Sequence, residues 1–162
     1  MRTEKFISHL TEYMERRKQA LFRYACYRIG NPADAEDLMQ EVYLQIADGA
    51  GREVANLEAY VYRTLSNACS TCIKRHRECE ATLDSEEVMA LSEESTDFEE
   101  EYRRIDALLS ALPQEQSEVI RLKIHAQMTF EEVAQAASIT VSTAKRRYYN
   151  GLEALRQKLR HI

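Results

Sequence analysis

Residues 129–152 read TFEEVAQAASITVSTAKRRYYNGL, and this stretch decides the fold of the C-terminal part of the chain. Thr129 and Glu132 have the T-x-x-E spacing of a capping box, which predicts the start of a helix. The small residues at 136–138 predict a tight turn, after which Thr140 or Ser142 can cap a second helix. Two short helices joined by such a turn, the second of them cationic, predict a helix-turn-helix.

The second helix of this motif carries the candidate DNA-reading residues. In a helix-turn-helix this helix lies in the major groove and presents its N-terminal residues to base edges. Those residues are hydroxyls and cations, namely Thr140, Ser142, Thr143, Lys145, Arg146 and Arg147. Arginine and lysine read guanine or hold phosphate, and hydroxyls hold phosphate. The alternative is a solvated cationic helix packed in a bundle, and the capping box and the small-residue turn argue against it.

The charge of the chain is divided among three segments. The formal net charge is −5 for the 162 residues. Residues 78–101 contain 11 acidic residues and no lysine or arginine, whereas residues 1–77 and 102–162 carry +2 and +4. The acidic segment is too polar to bury a core and is predicted to be a linker between two helical units. The whole-chain charge is therefore a poor guide to binding partners, because one segment sets it.

The composition favours helix throughout. Glycine and proline number only 4 and 2, and both residues disfavour helix interiors. No apolar run approaches the ~18 residues of a membrane span, and the charged N-terminus does not resemble a signal peptide. We therefore expect no membrane insertion and a cytoplasmic location, where the four cysteines stay reduced.

The first unit is predicted to contain three helices. The first runs over residues 3–29, the second starts at Pro32 with Asn31 as its N-cap, and the third covers residues 57–78 after Asn56. One face of the third helix is polar and cationic, and it comprises Arg63, Asn67, Ser70, Lys74 and Arg77, with Arg75 beside it. No acidic residue occurs from 59 to 77, which argues against a merely solvated face because such faces usually mix charges.

A row of carboxylates marks the second helix. Asp34, Asp37 and Glu41 follow at i, i+3 and i+7, with Gln40 beside them. Like charges at this spacing destabilise a helix slightly, so either the helix dipole or a basic partner surface offsets the repulsion. Paired carboxylates also occur in general acid/base catalysis. No matching set of His, Ser or Cys accompanies these, and we predict no catalytic site.

A possible zinc-ligand set occurs late in the third helix. Cys69, Cys72, His76 and Cys79 have the composition of zinc ligands. On a continuous helix they would extend over roughly 15 Å, whereas zinc requires every ligand within about 2.3 Å of one point. We therefore predict no metal and no other cofactor, and Cys69 and Cys72 are interpreted as core residues.

Three blocks of this sequence, in this order, resemble the extracytoplasmic-function (ECF) family of bacterial RNA polymerase sigma factors. They are NPADAEDLMQEVYLQI, NLEAYVYRTLSNACSTCIKRHR and the long block from LLSALPQEQ through TFEEVAQAASITVSTAKRRYYNGLEALRQKL. The resemblance implies an all-α protein with a three-helix region 2-like domain at 1–77, an acidic linker at 78–101 and a region 4-like helix-turn-helix domain at 102–162. It implies a non-enzymatic protein that recruits core polymerase to particular promoters.

The resemblance also implies roles for the candidate residues. The face of Asp34, Asp37, Gln40 and Glu41 would dock on the clamp helices of the largest polymerase subunit, and the second-largest subunit would hold the other domain through its flap. The cationic face of the third helix, with Asn67, Lys74 and Arg75 at its centre, would bind the promoter −10 element. The helix from Thr140 would read the −35 element. An anti-sigma protein is a further expected partner.

Two other functions remain open from the sequence. One is a helix-turn-helix regulator that binds duplex DNA without polymerase, and the carboxylate row argues against it. The other is a helical interaction protein that binds no DNA. Reversing the charges of Lys145, Arg146 and Arg147 distinguishes this last possibility from the sigma-factor interpretation.

Overall fold

The computed structural model describes residues 2–49, 54–82 and 97–160, and these residues form helices and short connecting turns without any strand. The helices within these ranges are α1 (Arg2–Arg16), α2 (Lys18–Ile29), α3 (Pro32–Asp48), α4 (Leu57–Thr82), α5 (Asp97–Ser110), α6 (Gln114–Ile124), α7 (Phe130–Ala137) and α8 (Val141–Arg160). The predicted all-α class is confirmed.

The single helix predicted over residues 3–29 is wrong. The helix is interrupted at Arg17, whose backbone has φ −105° and ψ 12°, so that α1 and α2 are separate elements. No glycine or proline causes this break. Arg17 instead reaches across to two other helices, and the local sequence holds no sign of that contact. The described residues of the N-terminal unit therefore form four helices rather than three.

The other helix starts of this unit are confirmed. The Asn31 side chain accepts the N–H of Asp34 at 3.1 Å, and Pro32 occupies the first turn of α3. The Asn56 side chain accepts the N–H of Ala59 at 3.1 Å at the start of α4. Each cap satisfies a backbone N–H that has no partner inside the helix.

The segment expected to be a linker is helical at both ends. Helix α4 continues to Thr82, and α5 begins at Asp97. Residues 83–96 lie outside the described residues.

The two units share one hydrophobic core. Its buried residues include Leu21, Tyr24, Val61 and Leu65 from the N-terminal unit, and Val119, Leu122, Met128 and Val133 from the C-terminal unit. A second cluster of Leu109, Leu112 and Ile120 joins α5, α6 and α8. Because apolar burial drives association, this common core packs α7 of the helix-turn-helix directly against α4, while α5 packs against α2.

Candidate DNA and polymerase interfaces

The helix-turn-helix is built by hydrogen bonds at the helix ends. The predicted capping box is present: the Thr129 hydroxyl accepts the N–H of Glu132 at 3.2 Å, and the Glu132 carboxylate accepts the N–H of Thr129 at 3.1 Å. The predicted turn at 136–138 lies later than expected, because α7 continues to Ala137 and the turn is 138–140. Ser138 ends α7 in the left-handed region, with φ 58° and ψ 45°.

Thr140 caps α8, the helix predicted to read DNA. Its hydroxyl accepts the N–H of Thr143 at 3.2 Å and donates to the Thr143 hydroxyl at 2.8 Å. Both hydroxyls are thus engaged in holding the start of α8. Ser142 in the same turn is exposed. The positive end of the helix dipole and the free N–H groups of this turn favour an anion here.

The three cations near the start of α8 differ in their surroundings. Lys145 and Arg146 are exposed, and the Lys145 ammonium lies 5.8 Å from the centre of the Phe130 ring. Arg147 is turned towards α6, where it pairs with Glu115 at 3.7 Å. Of the three cations predicted to read DNA at the start of α8, two are therefore exposed and one is half-buried.

Tyr149 is a candidate contact that the sequence reasoning missed. Its side chain is 58% exposed, and it follows Lys145 by four residues, which places both on one face of α8. Phe130 and Tyr148 support its ring, at centroid distances of 6.1 and 5.3 Å. The i, i+4 spacing was visible in the sequence. A large aromatic side chain left exposed beside cations suits contact with a nucleotide.

The cationic face of α4 is only partly free. Asn67, Lys74, Arg75 and Arg77 are exposed, and Lys74 and Arg77 line a cavity between α4 and α5. Ser70 accepts a hydrogen bond from Arg28 at 2.9 Å. The predicted −10 residues are therefore all exposed on one helix, but Ser70 already bonds to another group of this chain.

Arg63 is engaged by the other unit. Its guanidinium donates to the carbonyl oxygens of Ala136 at 3.3 Å and Gln135 at 3.4 Å, and to the Ser138 hydroxyl. These groups form the C-terminal end of α7, where carbonyls lack helical partners and the dipole is negative. Arg63, Asn67 and Arg147 line one cleft between the units. The predicted −10 and −35 sets thus meet in the packed form.

Further contacts join the units around α2 and α6. Tyr24 donates to Glu118 at 2.7 Å, and Arg28 pairs with the same carboxylate at 3.4 Å. Buried Arg121 donates to the carbonyl of Tyr27 at 2.7 Å. These are charge-assisted bonds, which are stronger than neutral ones, and the packed arrangement is therefore specific.

The residues predicted to bind polymerase lie on two sides of α3. Asp34, Asp37 and Glu41 line a groove between α3 and α4, where Asp34 is 3.6 Å from His76. Gln40 faces the opposite groove, between α3 and the α1–α2 pair. Helical spacing predicted one surface for these four residues, but the neighbouring helices place Gln40 in a different groove from the three carboxylates.

The groove beside Gln40 contains apolar residues that the sequence reasoning did not select. They are Met14, Phe22, Met39, Tyr43 and Leu44. Leu44 is 59% exposed. An apolar groove rimmed by polar groups is typical of a protein-binding surface.

The possible zinc-ligand set is spread along one continuous helix. Cys69 is buried in the core, whereas Cys79 is exposed at the far end of the set. Because α4 runs unbroken from Leu57 to Thr82, these four side chains do not converge. Among the described residues, no helix is long and apolar enough to cross a membrane.

Taken together, these features define a helical protein of two packed units with a C-terminal helix-turn-helix. Its sequence matches sigma-70 region 2 over residues 13–78 and sigma-70 region 4 over residues 108–157. It is 30% identical over 152 residues to RNA polymerase sigma-E factor of Streptomyces avermitilis, covering 91% of this chain and 83% of the relative. The corresponding factor of Streptomyces coelicolor is 28% identical, with 91% and 84% covered.

The fold is also that of a solved structure, CnrH in complex with the cytosolic domain of CnrY. The TM-score is 0.70 at 16% identity, and the alignment covers 94% of this chain and 88% of the other. The chain belongs to the ECF family of RNA polymerase sigma factors. It acts with RNA polymerase to direct transcription initiation.

Proposed function

We propose that three separate surfaces of this sigma factor carry out promoter recognition and polymerase binding. The observation that carries the proposal is the capped start of α8, which presents Ser142, Lys145 and Arg146 to solvent. These residues read the −35 element. Thr140 and Thr143 fix the start of α8 so that it can bind a phosphate of the DNA backbone. Tyr149 adds a contact with a nucleotide. Arg147 contributes less, because it is half-buried and pairs with Glu115.

The cationic face of α4 binds the −10 element. Asn67, Lys74 and Arg75 form the centre of this surface, with Arg63, Ser70 and Arg77 along its edges. Asn67 offers both donors and acceptors to an unstacked base, and the cations bind the phosphates of the strand. None of these contacts requires a catalytic group.

Helix α3 docks the protein on polymerase. Gln40 and the exposed Leu44 anchor the apolar groove, while Asp34, Asp37 and Glu41 provide charge for a basic partner surface. The partner is the clamp-helix region of the largest subunit, and the flap of the second-largest subunit holds the helix-turn-helix. Apolar anchors dominate such interfaces, and rim charges mainly set orientation.

The packed form must open before the protein can bind a promoter. The −10 and −35 elements are separated by about 25 base pairs, which is about 85 Å at 3.4 Å per pair. In the packed form Arg63 on α4 instead touches Ser138 in the helix-turn-helix. The packed form is therefore a storage form. An anti-sigma protein is the partner expected to stabilise this form. The sigma factor would meet polymerase and promoter DNA in the cytoplasm.

Run-off transcription with purified core polymerase tests the DNA assignment. The double variant Lys145→Glu/Arg146→Glu should lose promoter-directed transcript while retaining polymerase binding. Arg156→Glu is the matched control, because Arg156 is an exposed cation of the same helix beyond its DNA-facing start. Full transcription by the double variant would refute the assignment of α8.

Core-polymerase pull-down tests the docking assignment. Leu44→Ser should weaken binding at moderate salt, whereas Leu44→Met should not. Leu44→Met is a suitable control because it keeps an apolar side chain of similar volume at the same exposed position. Equal binding by both variants would remove α3 from the polymerase interface.

A further inference from the structure

Two carboxyl groups and one guanidinium meet where the units touch. Arg17 lies between α1 and α2, Glu58 in the first turn of α4, and Glu132 in the first turn of α7. The Arg17 guanidinium is 3.6 Å from a carboxyl oxygen of Glu58 and 3.6 Å from one of Glu132. It also donates to the carbonyl of Ala126 at 3.3 Å. One cation thus faces two acidic groups from different units.

This cluster is partly removed from water. The side chains of Glu58 and Glu132 are 24% and 27% exposed. The hydroxyls of Tyr13 and Tyr62 and the Nε of Arg17 are buried in the same place. Two carboxylates beside the same guanidinium cannot both ionise here without a penalty, because the single positive charge of Arg17 offsets only one of them. This cluster therefore favours one shared proton.

We propose that contact between the two units is linked to proton uptake, with Glu58 and Glu132 sharing one proton beside Arg17 only when the units are packed. The proposal rests on the opening described under Proposed function. Opening separates α7 from α4 and leaves each carboxyl group in water. A closed sigma factor then holds a proton at this site that the open form releases.

The protonation of the pair follows from its surroundings. Burial, together with the hydrogen bond to Glu132, raises the pKa of Glu58 from 4.5 to about 7. The groups that face it are Tyr13 of α1, Arg17, Tyr62 of α4 and Glu132 of α7. The hydrogen bond from Glu58 lowers the pKa of Glu132, so the proton resides on Glu58.

A second interface group acts in the opposite direction. His125 stacks on Tyr27 of α2 at a centroid distance of 4.3 Å, and its Nδ1 is buried without a partner. Burial, with Arg121 of α6 and Arg23 of α2, lowers the pKa of His125 from 6.5 to about 4. Closing therefore releases a proton at His125 while it takes one up at Glu58.

The two effects can be separated between pH 6 and pH 8. A group whose pKa is higher in the closed form favours closure at low pH, and this contribution is lost as pH rises through the closed-form value. With Glu58 at about 7 when closed and 4.5 when open, the closed-to-open ratio falls about tenfold from pH 6 to pH 8. His125, at about 4 closed and 6.5 open, raises that ratio about fourfold over the same interval.

Single-molecule FRET on the full chain tests this, with dyes at the exposed positions of Gln19 and Gln157. The labelled protein should show a closed-to-open ratio that falls about twofold from pH 6 to pH 8. His125→Phe retains the stack on Tyr27, and its ratio should fall about tenfold. Glu58→Gln keeps a neutral hydrogen-bonding group, and its ratio should instead rise about fourfold. The double variant should be nearly independent of pH.

The pH dependence of the closed-to-open ratio, compared among these four proteins, tests the assignment of the proton to Glu58. A pH dependence in Glu58→Gln/His125→Phe as large as in His125→Phe would overturn the assignment to Glu58, as would a flat response in His125→Phe alone. Circular dichroism at both pH values verifies that each variant is folded. Neither DNA nor polymerase is present, so failure of this result is distinct from failure of the promoter-binding assignments.

Discussion

Ser138 has an unfavourable backbone conformation, which the hydrogen bonding at the end of α7 requires. Its φ of 58° lies in the left-handed region, which costs a residue with a Cβ about 1–2 kcal/mol. The N–H of Ile139 bonds to the carbonyl of Ala134 at 2.9 Å, which closes the end of α7 and requires this conformation. In return, the Ser138 hydroxyl accepts a hydrogen bond from Arg63 of the other unit.

Two substitutions separate these effects. Ser138→Ala removes the hydroxyl and keeps the backbone cost, so we expect a loss of about 0.5–1.5 kcal/mol, the usual range for one hydrogen bond. Ser138→Gly removes the hydroxyl and the backbone cost together. Glycine is more disordered in the unfolded chain, which offsets about 0.5–1 kcal/mol of the gain. The glycine variant should therefore be more stable than the alanine variant by about 0.5–1 kcal/mol.

Thermal unfolding followed by circular dichroism measures the difference. For a chain of this size, that free energy corresponds to a Tm about 1–4 °C higher for Ser138→Gly than for Ser138→Ala. Both variants lack the hydroxyl, so the contact with Arg63 cancels in the comparison. A glycine variant that melts at or below the alanine variant would refute the backbone argument.

Two further predictions concern DNA binding and packing. Lys145→Ala and Arg146→Ala should each weaken binding to a −35 duplex and reduce the slope of log affinity against log salt by about one. Arg147→Ala should reduce this slope less, because Arg147 pairs with Glu115. Fluorescence anisotropy over a salt series measures the slopes, and equal slopes for the three variants would contradict the prediction. Gly30→Ala should destabilise the chain by about 2 kcal/mol, because Gly30 has φ 78° and an added Cβ would overlap the ring of Tyr102. Urea denaturation measures this loss of stability. If the overlap causes the loss, Gly30→Ala should cost less in a Tyr102→Ala background.

The helix ends and the helix-turn-helix were predictable because their signals are local. Thr129 and Glu132 are three residues apart, and both bonds of their capping box form. Asn31 and Pro32 likewise mark the start of α3 within two positions. Such caps depend on backbone groups within one turn, so a short stretch of sequence contains the whole interaction.

The break at Arg17 and the role of Arg63 could not be predicted in this way. Arg17 bonds to Ala126, which is 109 residues away, and Arg63 bonds to Ala136, which is 73 residues away. Helical periodicity places a residue on a face but does not identify the element that covers that face. The four predicted polymerase-binding residues illustrate the same limit, because α4 takes one side of α3 and the α1–α2 pair takes the other.

The contact between Arg63 and α7 also gives a physical reason why closure and the proposed −10 contact of Arg63 exclude each other. Helix α7 ends in carbonyl oxygens at the negative end of its dipole, and Arg63 donates to two of them, on Gln135 and Ala136. A phosphate would offer the same guanidinium a similar set of acceptors. Because one guanidinium cannot serve both sets, each −10 contact by Arg63 requires the loss of its contact with the helix-turn-helix. Closure is thus a competitor of DNA at this residue.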